Sequence, residues 1–177
     1  MDATAVVRIE PWSEGDFDLL RAANTPELMR HLGGPEPDEK LAERHRRYVA
    51  SSANRPGAGR MYRVVLTDGG EAVGTIGFWE SAWQGEPAYE TGWSVLPGFQ
   101  GRGIATAATL AVVAEARAAG KHRYLLAFPS VDNAPSNGVC RKAGFSLVGE
   151  CEVEYPPGRP MRSNHWRLDL EPQETAQ

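Results

Sequence analysis

The chain has 177 residues, of which 41% are hydrophobic and 24% charged, the balance of a globular protein able to bury about two thirds of its unfolded surface in one domain spanning 1–177. With 23 acidic residues against 19 basic ones the net charge is −4, which argues against nucleic acid as a partner and favours a cationic one. Two cysteines make no disulfide framework, four scattered histidines have no metal-ligand spacing, and no run reaches the ~18 apolar residues of a membrane span, so neither a metal enzyme nor a membrane protein is expected.

The N-terminal MDATAVVRIE shows no basic start followed by an apolar block, so a cytoplasmic protein is expected. VVRIEPW (6–12) alternates and is rich in β-formers, which predicts a first strand. SEGDFDLLRAAN follows, with Ser13 as N-cap of a short helix. In PEPDEKLAERHRRYVASS the acids come early and Arg44, Arg46 and Arg47 late, matching a helix dipole, while Leu41, His45, Tyr48 and Val49 share one face. The period then changes from helical to alternating. MYRVVLTDGGEAVGTIGFWE gives two strands joined at Asp68-Gly69-Gly70, SAWQGEP (81–87) a loop, and AYETGWSVL a further strand.

A helix over Ile104–Ala119 is apolar almost all round and is predicted to pack on a sheet, with Gly120 closing it. YLLAF (124–128) reads as a central strand parallel to its predecessor. A helix over 135–143 stops at Gly144, and SLVGECEVEY and HWRLDL are strands on either side of the loop PPGRPMRSN. The tail EPQETAQ is polar, which confines the expected ordered core to about 6–170. The predicted order is β-α-α-β-β-β-α-β-α-β-β, an α/β fold with a mixed sheet.

Between the fourth strand and the apolar helix stands VLPGFQGRGIA, in which Gly98, Gly101 and Gly103 fall within six residues. A glycine-rich turn that feeds a helix presents backbone N–H groups and the positive end of the helix dipole, a site suited to phosphate. The P-loop pattern fails, because Arg102-Gly103-Ile104 stands where Gly-Lys-Ser/Thr is required. The dinucleotide fingerprint fails too, lacking its third glycine at Thr106 and following four strands. A third pattern, Q-x-x-G-x-A, fits as Gln100-Gly101-Arg102-Gly103-Ile104-Ala105.

On that motif, on the block DNAPSNGVCRKAGF (132–145) and on the order of the strands, the chain resembles the GNAT superfamily of N-acetyltransferases. YETGWSVLPGFQGRGIATAA is most similar to the branch that includes acetylases of ribosomal-protein N-termini. The resemblance implies acetyl-CoA as co-substrate, its pyrophosphate on the backbone of Gln100, Gly101, Arg102, Gly103, Ile104, Ala105 and Thr106. It also implies a splay between the fourth and fifth strands, with pantetheine bonded to main chain near Ser94, Val95 and Leu96 and to Asn133.

An amine acceptor is nearly all ammonium at neutral pH, so a base must remove a proton before attack on the thioester. The resemblance points to Glu90 for that role, with Glu80 in reserve. For the acid that protonates the departing thiolate it points to Ser136, since Cys140 stands where many relatives carry Tyr; Cys140 itself is the alternative donor. A main-chain N–H near Val95 would hold the oxyanion. Trp79, Trp83, Tyr89 and Trp93 with Glu80, Glu86 and Glu90 could receive a cationic acceptor, and 154–166 could form another wall. The expected partner is a small amine or a peptide N-terminus, not nucleic acid or membrane, with homodimerisation open. A non-catalytic CoA-binding domain is the rival reading.

Overall fold

The computed structural model describes residues 6–53 and 56–171. Strand β1 (Val7–Pro11) leads through a 3-10 turn into helix α1 (Phe17–Ala23), and helix α2 (Asp38–Ser51) follows. Ser13 caps the 3-10 turn of Glu14–Asp16 and not α1 itself, whose N-cap is Asp16; the Ser13 N–H donates to Asp16 Oδ2 at 2.7 Å, so Asp16 closes the turn from within. Strands β2 (Gly59–Leu66), β3 (Ala72–Trp83) and β4 (Glu86–Val95) form a meander. Helix α3 (Ile104–Ala119), strand β5 (Tyr124–Ala127), helix α4 (Ala134–Lys142) and strands β6 (Ser146–Glu154) and β7 (Pro160–Asp169) complete the described chain.

The seven strands form one mixed sheet in the order β1-β2-β3-β4-β5-β7-β6. Strand alternation sorts side chains between two helical layers. Tyr62, Phe78 and Tyr89 join the core under α3 and α4, together with Ile104, Val112 and Leu125. Met61 and Trp79, each one residue out of phase, join the core under α1 and α2 with Trp12, Leu20 and Leu41. The apolar helix is thereby explained: α3 buries Ile104, Ala108, Val112, Val113 and Ala116 against the sheet.

Two segments differ from expectation. Residues 81–87 are not a loop; β3 and β4 run on to a turn of only Gln84 (φ 51°) and Gly85 (φ 81°), with Trp83 paired to Glu86. Two consecutive positive φ values are what a tight hairpin needs, and Gln-Gly is an uncommon pair to supply them. Strand β7 starts at Pro160 instead of His165, so 160–164 belong to the ladder with β6, from Glu154↔Pro160 to Glu150↔Asn164. Proline at the first position of a strand costs no ladder bond, which is why it does not mark a loop here.

The feature that positions the site is the junction of β4 with β5. These strands are parallel and pair only at Tyr89↔Leu125 and Glu90↔Leu126. Residues 91–95 of β4 continue without a β5 partner while remaining fully paired to β3. The sheet opens there as a V.

Candidate active site

A cleft of about 1020 Å³ runs through this opening, walled by the end of β4, the first turns of α3 and α4, and the segments that precede α2 and β7. At one end lies the glycine loop. Gly101 and Gly103 have φ values of 77° and 76°, a left-handed backbone that L side chains rarely adopt, so their identity follows from the turn itself. Gly103 is the N-cap of α3, and the N–H groups of Ile104, Ala105 and Thr106 have no partner within the helix. They point out of the helix end, where the dipole favours an anion. Gln100 fixes the loop to the strand, its Nε2 donating to Val95 O at 3.1 Å. Ile104 turns its side chain into the core, so only its backbone belongs to the loop. Arg102 is exposed and folds back, donating to Gly98 O at 3.3 Å and lying 5.4 Å from the Phe99 ring centre.

At the end of β4 the backbone narrows the expectation for pantetheine. Leu96 N–H donates to Val73 O at 2.9 Å, so Leu96, named from the sequence as a main-chain contact, has spent its donor on β3. Backbone groups alternate along a strand, so Ser94 and Leu96 face β3 while Trp93 and Val95 face the gap that β5 has left. An extended amide-bearing chain lying in that gap would complete the edge.

The N-terminus of α4 forms the third wall. Asn133 caps it, Oδ1 accepting from Ser136 N–H at 3.2 Å. Ser136, Val139 and Lys142, a row at i, i+3, line the cleft. Asn137 and Cys140, the row one residue on, turn inward and are buried. Cys140 is fully enclosed in the core beneath α3 and α4, and burial pushes its thiol up to about 12. It cannot reach a group in the cleft, which corrects its place as alternative acid.

Asn137 was not singled out from the sequence, although a polar residue one turn after a capping Asn was a signal. Its Nδ2 donates to Ser130 O at 3.0 Å and Asn133 O at 2.8 Å, and its Oδ1 accepts from Asn164 at 2.9 Å and from Trp166 Nε1 at 2.8 Å. One buried amide with every valence used ties the start of α4 to β7 and to the end of β5.

Glu90 lies where β4 leaves β5, and its carboxylate lines the cleft. Its cross-strand neighbour is Trp79, whose indole Nε1 donates to Glu90 Oε2 at 2.8 Å. No described cation pairs with it, and burial raises its pKa against the smaller opposing pull of that hydrogen bond. Glu80 is one residue out of phase with Trp79 and projects from the other face of the sheet. There it pairs with Lys121 Nζ at 2.5 Å and His122 Nε2 at 2.9 Å, which hold its carboxyl below its ordinary value. Glu80 therefore does not serve the cleft. Of the aromatic residues named, Trp79 and Trp93 line it, whereas Tyr89 is wholly buried in the core, its hydroxyl donating to Gly57 O at 2.8 Å. Trp83 packs on Phe128 and His165, with ring centres at 5.0 and 5.2 Å.

A splayed mixed sheet with a glycine turn and a helix N-terminus over its open end defines a protein that holds a phosphate-bearing, amide-containing cofactor across the sheet. The domain model described as "Acetyltransferase (GNAT) domain" matches residues 7–146, and the chain belongs to that family. It is accordingly an acetyltransferase with acetyl-CoA as co-substrate.

The fold is similar to that of a GNAT-family acetyltransferase from Bacillus anthracis, at 20% identity over 97% of this chain and 100% of that one, with a TM-score of 0.76. An acetyltransferase from Salmonella typhimurium that modifies the N-terminal serine of a 50S ribosomal subunit protein is also similar, at 20% identity, 97% and 98% coverage and a TM-score of 0.75. An aminoglycoside acetyltransferase in complex with coenzyme A matches at 18% identity, 93% and 95% coverage and a TM-score of 0.72. No curated protein matches the sequence.

Proposed function

We propose that the chain transfers an acetyl group from acetyl-CoA directly to a primary amine, and that Glu90 is the base. The observation that carries this reading is the Glu90 carboxylate: it lines the cleft, is held by one indole N–H, lacks a cationic partner among the described residues, and stands at the point where the sheet opens. A carboxylate whose proton affinity is raised by burial is better suited than an exposed one to accept a proton, directly or through water, from an ammonium. The freed amine attacks the thioester carbonyl, and the Val95 N–H, facing the gap, supports the oxyanion. Collapse expels the CoA thiolate, which takes a proton from the hydroxyl of Ser136 on the cleft-side row of α4, and the proton that the attacking nitrogen sheds as the amide forms returns through water to Ser136.

The phosphates fall to the backbone of Gly101 through Thr106 and the pantetheine to the β4 edge with Asn133. Neither Cys140 nor Cys151 lines the cleft, which supports direct transfer over an acetyl-cysteine intermediate. Two free thiols also suit a reducing cytoplasm. Two of the similar proteins act on a ribosomal-protein N-terminus and on an aminoglycoside, and both of these acceptors carry amines.

Release of CoA thiol is followed with acetyl-CoA and a panel of small amines, aminoglycosides and peptides of varied N-terminus, with the product confirmed by a mass increase of one acetyl group. Turnover of any amine supports the reading. Tight binding of acetyl-CoA with every amine inert would make the chain a CoA-binding domain instead.

A further inference from the structure

The acceptor end of the cleft carries charge that acetyl transfer itself does not use. The segment between α1 and α2 is closed by reciprocal bonds: Asn24 Nδ2 donates to Glu36 O, and Glu36 N–H donates to Asn24 Oδ1, both at 2.9 Å. Met29, buried beneath it, anchors the turn, accepting from Leu32 and Gly34 N–H at 2.9 Å each. Arg30 and His31 are thereby held beside the β6–β7 turn, whose Pro156 ring leaves no room for a side chain at Gly33 and whose Arg159 lies next to it. Together they border a recess of about 450 Å³.

No acidic residue lines this recess, and none of the three bases makes an ion pair or a side-chain hydrogen bond with another described residue. Arg8, Arg21, Arg44, Arg63, Arg123 and Arg162 each meet a carboxylate, whereas Arg30 and Arg159, like several other described arginines, do not, and they differ from those in bordering one recess together. The acids of the main cleft wall, Glu27, Glu90, Asp132 and Glu154, stay outside the recess, and Glu154 accepts from Gly158 N–H at 3.2 Å. The two spaces are continuous, since Arg30, His31, Ser130, Tyr155 and Met161 border both. The glycine loop of α3 contributes nothing to the recess, which is therefore separate from the phosphate end of the cleft.

We propose that the recess is an anion subsite for the acceptor, so that the amine substrate bears a carboxylate or phosphate held by Arg30, Arg159 and His31 while its amine lies toward Glu90. This rests on the acetyl-transfer reading above. Two guanidinium forks without partners suit either anion, through charge-assisted and bidentate hydrogen bonds. The same charges disfavour a polycationic acceptor by leaving like charges face to face. Placement of one group of the acceptor at a fixed distance from the base also orients the amine for attack.

The test uses the full chain with saturating acetyl-CoA and primary amines that differ only at the remote group: amino acids of graded length, their carboxamides, the corresponding aminoalkyl phosphates, and an aminoglycoside. The expected result is a kcat/KM for the best anionic amine about tenfold or more above its carboxamide, the fold-change of one hydrogen bond to a charged group. Carboxylate and phosphate arms identify which anion is preferred. Arg30→Ala and Arg159→Ala, both at exposed positions and checked by melting temperature, should lower that ratio through KM for the anionic amines.

A preference for the carboxamide or the aminoglycoside, or equal losses for every amine, overturns the subsite. If no amine is acetylated although acetyl-CoA binds, the transfer reading fails and calorimetry decides the recess alone. Binding of the same amino acids or of inorganic phosphate to the CoA-saturated protein, lost in the double variant, sustains it, and no binding removes it.

Discussion

Replacing Glu90 by Gln removes a charge and little else. The amide oxygen can still accept the Trp79 indole N–H that now lies 2.8 Å from Oε2, and no described cation loses a partner. The fold should therefore survive. Because burial raises the pKa of Glu90 in the folded protein, the folded state holds this proton more tightly than the unfolded chain does. The stabilisation from that proton is complete below the unfolded value of about 4.3 and is lost as pH rises through the higher folded value. The Gln variant loses nothing over the same interval, so its melting temperature should gain on that of the wild type as pH rises through this window and then stay level.

Activity should move the other way. General bases contribute roughly 10²–10⁴-fold, and the lower end applies because the fraction of acceptor already free can attack unaided, so kcat/KM should fall about a hundredfold, or about 2.7 kcal/mol at the barrier. The assay is CoA-thiol release across pH with acetyl-CoA binding measured in parallel by calorimetry. Wild type should show an acidic limb above the ordinary carboxylate range; the variant should lack it and bind acetyl-CoA unchanged. Varying the acceptor pKa separates substrate ionisation from that of the enzyme. A folded Glu90→Gln protein with full activity at pH 6 and an intact acidic limb would refute the role, and Glu80 could not inherit it while paired to Lys121 and His122 on the other face.

Gly103→Glu should abolish acetyl-CoA binding by calorimetry while leaving the fold largely in place, because it sets a carboxylate beside the phosphate position and forces a residue with φ 76° to carry a side chain. Ser136→Ala should lower kcat more than it raises KM for acetyl-CoA, whereas Cys140→Ala should leave steady-state kinetics alone and cost about 1 kcal/mol in urea unfolding for a small lost buried group. An unchanged kcat in Ser136→Ala would remove Ser136 as the acid. Asn137→Ala should cost about 3 kcal/mol, roughly 10 °C in Tm, since Trp166 Nε1 and the Ser130 carbonyl lose partners in a buried site.

The glycine loop could be read from the chain because its demand is local. Gly101 and Gly103 are set by their own backbone angles, and a helix that follows a strand brings its N-terminus to the strand's end wherever the rest of the sheet goes. The choice between Glu80 and Glu90 could not be read in this way. Both lie on β-rich runs of similar composition, and only the pairing Trp79↔Glu90 and Glu80↔Tyr89 decides which carboxylate shares the face of the cleft. That pairing follows from the Gln84-Gly85 turn, which the sequence suggested as part of a longer loop; lengthening the turn would shift the register and exchange the two faces. Ser136 and Cys140 posed the same problem on a helix, where 3.6-residue phase sends one to the cleft and the other to the core, and only the packing of α4 against α3 and the sheet fixes the phase.

Net charge cannot locate a local site of opposite sign, for a related reason. A value of −4 describes the whole surface, and it suggested a cationic partner. Arg30 and His31 stand well over a hundred residues before Arg159 in the chain, and nothing in either local sequence marks a basic site. They meet because Asn24 and Glu36 clasp one segment while the β6–β7 hairpin brings the other across the sheet. An acidic exterior with a basic recess at the acceptor end has a physical consequence of its own. The outer surface is unfavourable to anions at long range, where 0.15 M salt screens it within about 8 Å, while the recess attracts them at contact, where screening is weak. Selectivity for an anionic amine should therefore reside in KM and dissociation rather than in the rate of encounter, and moderate salt should change the association rate little.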